Sequence, residues 1–70
     1  MLHNLKAEIA RKNISRREVR TLLGISEKAF NNKLSGLNEF TFRQTLRIKN
    51  TYFPDLDLEY LFEDSKEARG

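Results

Sequence analysis

Ile14-Ser15-Arg16-Arg17-Glu18-Val19-Arg20-Thr21-Leu22-Leu23-Gly24-Ile25-Ser26-Glu27-Lys28-Ala29-Phe30-Asn31-Asn32-Lys33-Leu34-Ser35-Gly36 decides the fold. It reads as two short helices, each opened by a serine and closed by a glycine. Ser15 to Glu18 has the spacing of a capping box, in which the hydroxyl accepts the Glu18 amide and the carboxylate reaches back to the Ser15 amide. Ile14 and Val19 stand at the positions of a hydrophobic staple. Val19, Leu22 and Leu23 share one side of the helix that follows. Gly24 is the residue best able to take the positive φ that ends it. Ser26 then caps the next helix, with Glu27 in the first turn, where the helix dipole favours a negative charge. Ala29, Phe30 and Leu34 point inward, and Glu27, Lys28, Asn31 and Asn32 point outward. Ser35-Gly36 closes that helix.

The same rules apply outward from this centre. Upstream, Leu2, Leu5 and Ile9 recur at spacings of three and four, so Leu2 to Lys12 is a helix with one apolar stripe, and Asn13 is its stop. Downstream, residues 37–40 form a loop. Thr41 caps a fourth helix running to about Phe53, with Phe42, Thr45, Leu46, Ile48, Tyr52 and Phe53 as a broad apolar face. Pro54 prevents its continuation. Asp57 caps a last short helix carrying Leu58, Leu61 and Phe62. No segment alternates at period two for long enough to be a strand. The expected fold is all-α, a compact five-helix bundle, with residues 1–63 as one domain and residues 64–70 as a polar, frayed tail.

Composition narrows the function. The chain has 70 residues, 39% hydrophobic and 33% charged, with no cysteine, one histidine, five Phe and two Tyr. That is enough chain for one core only. Without cysteine there is no disulfide framework and no thiolate metal site. No apolar run approaches the ~20 residues of a membrane span. One histidine and no glycine-rich phosphate loop leave few groups for catalysis, so an enzyme is not expected, nor is a cofactor or a metal. His3 lies near a terminus with no second ligand at a metal spacing. The cluster Asp55, Asp57, Glu59, Glu63 and Asp64 matches no calcium loop and reads as a cap plus a solvated face.

Charge points to a polyanion. The formal net charge is +3, from 13 Lys and Arg against 10 Asp and Glu. Residues 1–37 hold eight basic and three acidic groups, and residues 38–70 hold five and seven. A tight turn of this kind sets its two helices at roughly 90–120°. Val19, Leu23, Ile25 and Phe30 then meet in the wedge, and the second helix, about residues 27–35, keeps an exposed strip of amides and charges. That is a helix-turn-helix arrangement, suited to placing a helix in the major groove of duplex DNA. Asn pairs with adenine, Lys donates to guanine, and Glu27 accepts from cytosine or repels wrong sequences. Arg16 and Arg17 stand where side chains and free helix amides together favour a phosphate. A plain helical hairpin with solvated polar residues is the blander alternative.

Three segments carry a family resemblance. The stretch from Ile14 to Gly36, with its "LLGIS" and "KLSG" segments, the "EFTF" at residues 39–42 and the "LDLEYLF" at residues 56–62 are similar to the phage repressor and Cro family (XRE-type) of helix-turn-helix regulators. The resemblance covers residues 2–63. It implies five helices, a homodimer on a pseudo-palindromic DNA operator, a cytoplasmic, nucleoid-associated location, and repression or switching of transcription in a phage or prophage. It places Ser26, Glu27, Lys28, Asn31 and Asn32 against bases, and Arg16, Arg17, Asn38 and Thr41 near phosphates. Two positions depart from the family pattern. Arg20 stands where a small residue is usual, and Arg16 where Gln is frequent. Arg20 either lays its stem over the wedge with its head in solvent, or opens the angle between the helices.

Phe40, Phe42, Tyr52, Phe53, Tyr60 and Phe62 read mainly as core. They make more apolar surface than a domain this size hides easily, so Tyr52, Leu56, Tyr60 and Phe62 are candidates for a dimer contact. Arg20 and this surplus also support an alternative: an antirepressor or interaction module that keeps the fold but binds another regulator, such as a phage repressor, instead of DNA.

Overall fold

The fold was obtained as a computed structural model, and the structure describes residues 1–64. It is all-helical, with α1 His3–Arg11, α2 Arg16–Leu23, α3 Glu27–Ser35, α4 Phe42–Tyr52 and α5 Leu58–Leu61. No described residue is in a strand. Among the described residues, no helix is long and apolar enough to cross a membrane.

Local chemistry sets the helix ends. Asn13 takes a positive φ of 58° after α1. Ser15 Oγ accepts the Glu18 N–H at 3.0 Å, and Ser26 Oγ accepts the Ala29 N–H at 3.1 Å. Gly24 (φ 71°) and Gly36 (φ 96°) close α2 and α3, where a side chain would be strained. Two expected caps differ. The Ser15 box is half-formed: Ser15 Oγ accepts the Glu18 amide, but the Glu18 carboxylate makes no return bond to the Ser15 amide and lies near the Tyr52 hydroxyl of α4. Asp57 makes no side-chain cap; only its backbone carbonyl opens α5, accepting Leu61 N–H at 3.0 Å. A full capping box forms at α4. Gln44 N–H donates to Thr41 Oγ1 at 3.1 Å, and Thr41 N–H donates to Gln44 Oε1 at 3.0 Å.

Every helix feeds one core. Leu2, Leu5 and Ile9 flank Val19, Phe30, Leu34, Ile48, Phe53 and Leu61, all buried. Ile14, Leu23, Ile25, Phe40, Tyr52, Leu56 and Phe62 pack half-buried around them. The rings of Phe30, Phe40 and Phe62 meet edge to face, at centroid distances of 6.1 and 5.5 Å. Burying a side chain of this size contributes roughly 1.5–3 kcal/mol, so Phe30 and Phe53 are major anchors. Phe42 does not join this face of α4; it is 69% exposed. It lies six positions from Ile48, which at ~100° per residue sets it about 120° away around the helix.

The two ends of the described chain are fastened to the bundle. Leu2 N–H donates to the Leu34 carbonyl at 2.9 Å, beside the end of α3. The Met1 ammonium sits 3.2 Å from Asp64 Oδ1. Asp64 is therefore held, contrary to the expectation that the frayed tail begins there. The rest of that expected tail, residues 65–70, lies outside the described residues. Glu8 of α1 is buried yet satisfied: it accepts the Tyr60 hydroxyl at 2.8 Å and pairs with Arg11 Nε at 3.4 Å. These contacts hold α5 across α1.

Candidate nucleic-acid interface

α2 and α3 are joined by Gly24, Ile25 and Ser26 alone. The turn is closed by backbone bonds from Gly24 N–H to the Thr21 carbonyl and from Ile25 N–H to the Arg20 carbonyl, both 3.1 Å. Val19 and Phe30 are fully buried, and Leu23 and Ile25 pack half-buried against the core. The wedge therefore holds the residues expected in it. Arg20 is half-buried on the flank of α2 that faces α3.

The first turn of α3 presents Ser26, Glu27 and Lys28, all exposed. Ser26 Oγ already accepts its cap bond, which leaves its hydroxyl proton and one lone pair to meet a base edge. Asn31 and Asn32 are half-buried. Asn31 Oδ1 accepts from Arg16 Nη1 at 3.4 Å, tying α3 to α2. The Asn32 carbonyl gathers the end of the helix, accepting from Ser35 Oγ and from the Leu37 and Asn38 amides at 2.9–3.2 Å. Lys33 Nζ donates to the Glu39 carbonyl at 3.0 Å and so steadies the following loop rather than reaching out.

Arg16, Arg17, Asn38 and Thr41 are all exposed. The Thr41 amide is consumed by its capping box, which leaves the hydroxyl proton as its means of meeting an anion. Among the described residues, no carboxylate lies within ion-pair distance of Arg16, Arg17, Arg20, Lys28, Arg43 or Arg47. Unpaired cations on a small domain repel one another, and an external anion relieves that repulsion.

Clefts on this side collect groups that the sequence reading kept apart. One, of about 400 Å³, lies between α2 and α3 and is lined by Arg16, Arg17, Arg20, Glu27, Phe30 and Asn31. A neighbouring cleft is lined by Met1, Lys6, Arg16, Asn31, Leu34 and Ser35. Arg20 and Lys6 thus border the candidate surface, though neither was among the candidates. For Arg20 the signal was in the sequence: positions 16, 17 and 20 fall on one helical flank. For Lys6 there was none, because only tertiary packing sets α1 beside α3.

The proposed dimer residues line different clefts. Tyr52, Leu56 and Phe62 are half-buried against the core. Leu56 and Tyr60 line a shallow cleft with Glu8, whereas Phe62 lines another with Phe40 and Lys33. The Tyr52 hydroxyl has its pKa raised, first by burial and then by the adjacent Glu18 carboxylate. The Tyr60 pKa is raised first by its hydrogen bond to Glu8 and then by burial and the Glu8 charge, against a smaller lowering by Arg11. The large apolar side chains most exposed to solvent are instead Leu37 and Phe42, at 73% and 69%. Among the described residues, no group of three His, Cys, Asp or Glu side chains is placed to hold a metal ion. Comparison with protein-family models, with curated proteins and with solved structures gave no match for this chain.

Proposed function

We propose that the protein is a double-stranded-DNA-binding transcriptional regulator of the helix-turn-helix kind, with α3 as the helix that enters the major groove. One observation carries the reading. The helix braced by the Gly24 turn presents Glu27 and Lys28 on its free first turn, beside arginines that have no carboxylate partner among the described residues. A helix of this diameter fits the major groove, and its N-terminal outward side chains reach base edges first. Lys28 and Asn32 are the base readers, and Arg16 and Arg17 hold the backbone. The protein acts as a homodimer on a pseudo-palindromic operator, with the two copies of α3 about 34 Å apart.

The test is a titration of genomic duplex fragments at two salt concentrations, followed by selection of preferred sequences. Asn32→Ala and Lys28→Ala change the preferred sequence, whereas Arg17→Ala weakens all sequences alike. No binding even at 25 mM salt refutes the reading, and uniform losses from all three variants remove α3 from base recognition.

Leu37 and Phe42 favour a second reading, in which the same fold docks on another regulator. Recovery of a partner repressor by the wild type but not by Phe42→Ser, with no duplex bound, decides for it.

A further inference from the structure

The chain carries cations beyond the pair expected to meet phosphates, and the fold lines them up. Arg16 and Asn31 form a ridge between two adjoining clefts, bridged by their 3.4 Å hydrogen bond. On one side of the ridge lie Arg17 and Arg20, on the other Lys6. Four cationic side chains from two helices thus border one flank of α3. None has a carboxylate within ion-pair distance among the described residues. Arg16 and Arg20 stand four positions apart on α2, a like-charge spacing that costs stability in an isolated helix. Arg20 is half-buried and lines the cleft beside Arg16 and Arg17. An arrangement that repels itself and holds its cations against a cleft is suited to a bound polyanion.

Resting on the DNA-binding reading above, we propose that Lys6, Arg16, Arg17 and Arg20 form a continuous track for one phosphodiester strand along the α2 side of α3. In this track Arg20 holds backbone phosphate through a guanidinium carried on a stem that covers the interhelical wedge. Asn31 is a positioning residue. Its carbonyl oxygen is taken by Arg16, so it aims that guanidinium rather than reading a base. Among the described residues, Glu27 is the one carboxylate lining the α2–α3 cleft. It offsets the arginines in the free protein and competes with phosphate for them.

The experiment measures the affinity of the full chain for a labelled 24-base-pair duplex of mixed sequence, between 50 and 200 mM salt. Each backbone contact adds about 0.9 to the log–log salt slope. Over this fourfold range each track residue therefore accounts for about a 3.5-fold loss of affinity. Arg20→Gln keeps the stem and removes the charge. It lowers the slope by about one, and Arg20→Lys restores it. Lys6→Gln lowers the slope by the same amount. Glu27→Gln tightens all sequences together, on the order of threefold at 50 mM salt, and Asn31→Ala weakens all sequences without altering their order. A wild-type slope in Arg20→Gln or in Lys6→Gln overturns the track, provided that Arg17→Ala still lowers it. A changed sequence preference in Glu27→Gln or Asn31→Ala overturns the role given to that residue. Wild-type protein that binds no duplex fails the underlying reading instead. Circular dichroism melts confirm that each variant is folded.

Discussion

Gly24 and Gly36 bracket α3, and the structure makes them unequal. Both have positive φ, so alanine is strained at either. At Gly24, with φ +71°, a Cβ meets nothing within 4 Å. Gly24→Ala therefore incurs only the left-handed backbone term of roughly 1–2 kcal/mol, less the ~0.4–1 kcal/mol returned by stiffening the unfolded chain. The expected net loss is about 1 kcal/mol. Gly36 has φ +96°, beyond the left-handed well at about +50 to +70°. Its Cβ falls 3.2 Å from the Met1 nitrogen and 3.7 Å from Asp64 Oδ2. Alanine there must also push the Met1 ammonium aside by a few tenths of an ångström, which loosens its ion pair with Asp64, so the total reaches about 2–3 kcal/mol. For a domain this size, 1 kcal/mol shifts Tm by about 4–8 °C. Thermal melts followed by circular dichroism then show Gly24→Ala down by about 4–8 °C and Gly36→Ala by about 10–20 °C. The second loss approaches the whole stability of roughly 3–5 kcal/mol that such a core supplies. Gly24→Asn recovers part of the first loss, because Asn tolerates the left-handed region. Equal losses at the two glycines, or a larger one at Gly24, would refute the claim that the chain's ends pack against the close of α3.

Phe30 is fully buried, so Phe30→Ala removes about 3–5 kcal/mol and leaves no cooperative melt at 25 °C, while Phe30→Leu stays folded; a melt within 5 °C of wild type for the alanine variant contradicts its central place. Tyr52 and Tyr60 both have pKa values above the ordinary 10.0, Tyr52 first through burial and then through Glu18, Tyr60 first through its hydrogen bond to Glu8. A pKa raised by folding stabilises the protein below pH 10 and loses that contribution as pH climbs through the folded-state value. Wild-type Tm therefore falls faster between pH 9 and 11 than that of the double variant Tyr52→Phe/Tyr60→Phe, and parallel curves speak against both contacts.

The fold was legible in the sequence wherever its cause is local. Ser15, Gly24, Ser26, Gly36 and Thr41 each act on backbone groups within three or four residues, so their roles follow from spacing alone. What spacing could not supply was the choice between two local partners and one distant partner. Glu18 had the spacing to close its capping box, yet its carboxylate lies at Tyr52, 34 positions away in sequence. Tyr60 read as surplus aromatic surface, but its hydroxyl has a buried acceptor in Glu8, 52 positions back. Phe42 read as core because helical periodicity admits a broad apolar arc. The packed arc of α4 is narrower, centred on Thr45 and Ile48.

The candidate surface divides the same way, and Arg20 shows why. Its length left two expectations open: a stem laid over the wedge with the head in solvent, or a wider angle between α2 and α3. The packing nonetheless holds: Val19 and Phe30 have no exposed surface, and Gly24 closes α2 with both of its backbone bonds in place. Arg20 is half-buried and lines the cleft beside Arg16 and Arg17; an arginine in such a place can cover apolar surface with its methylenes while its charged end stays out of the core. A short side chain at position 20 would leave Arg16 and Arg17 as the only cations lining that cleft among the described residues. The buried core is complete without the charge, which is surplus to folding. A charge that the core does not need, held beside two others with no counter-ion among the described residues, is more readily explained by what the surface binds than by what keeps the chain folded.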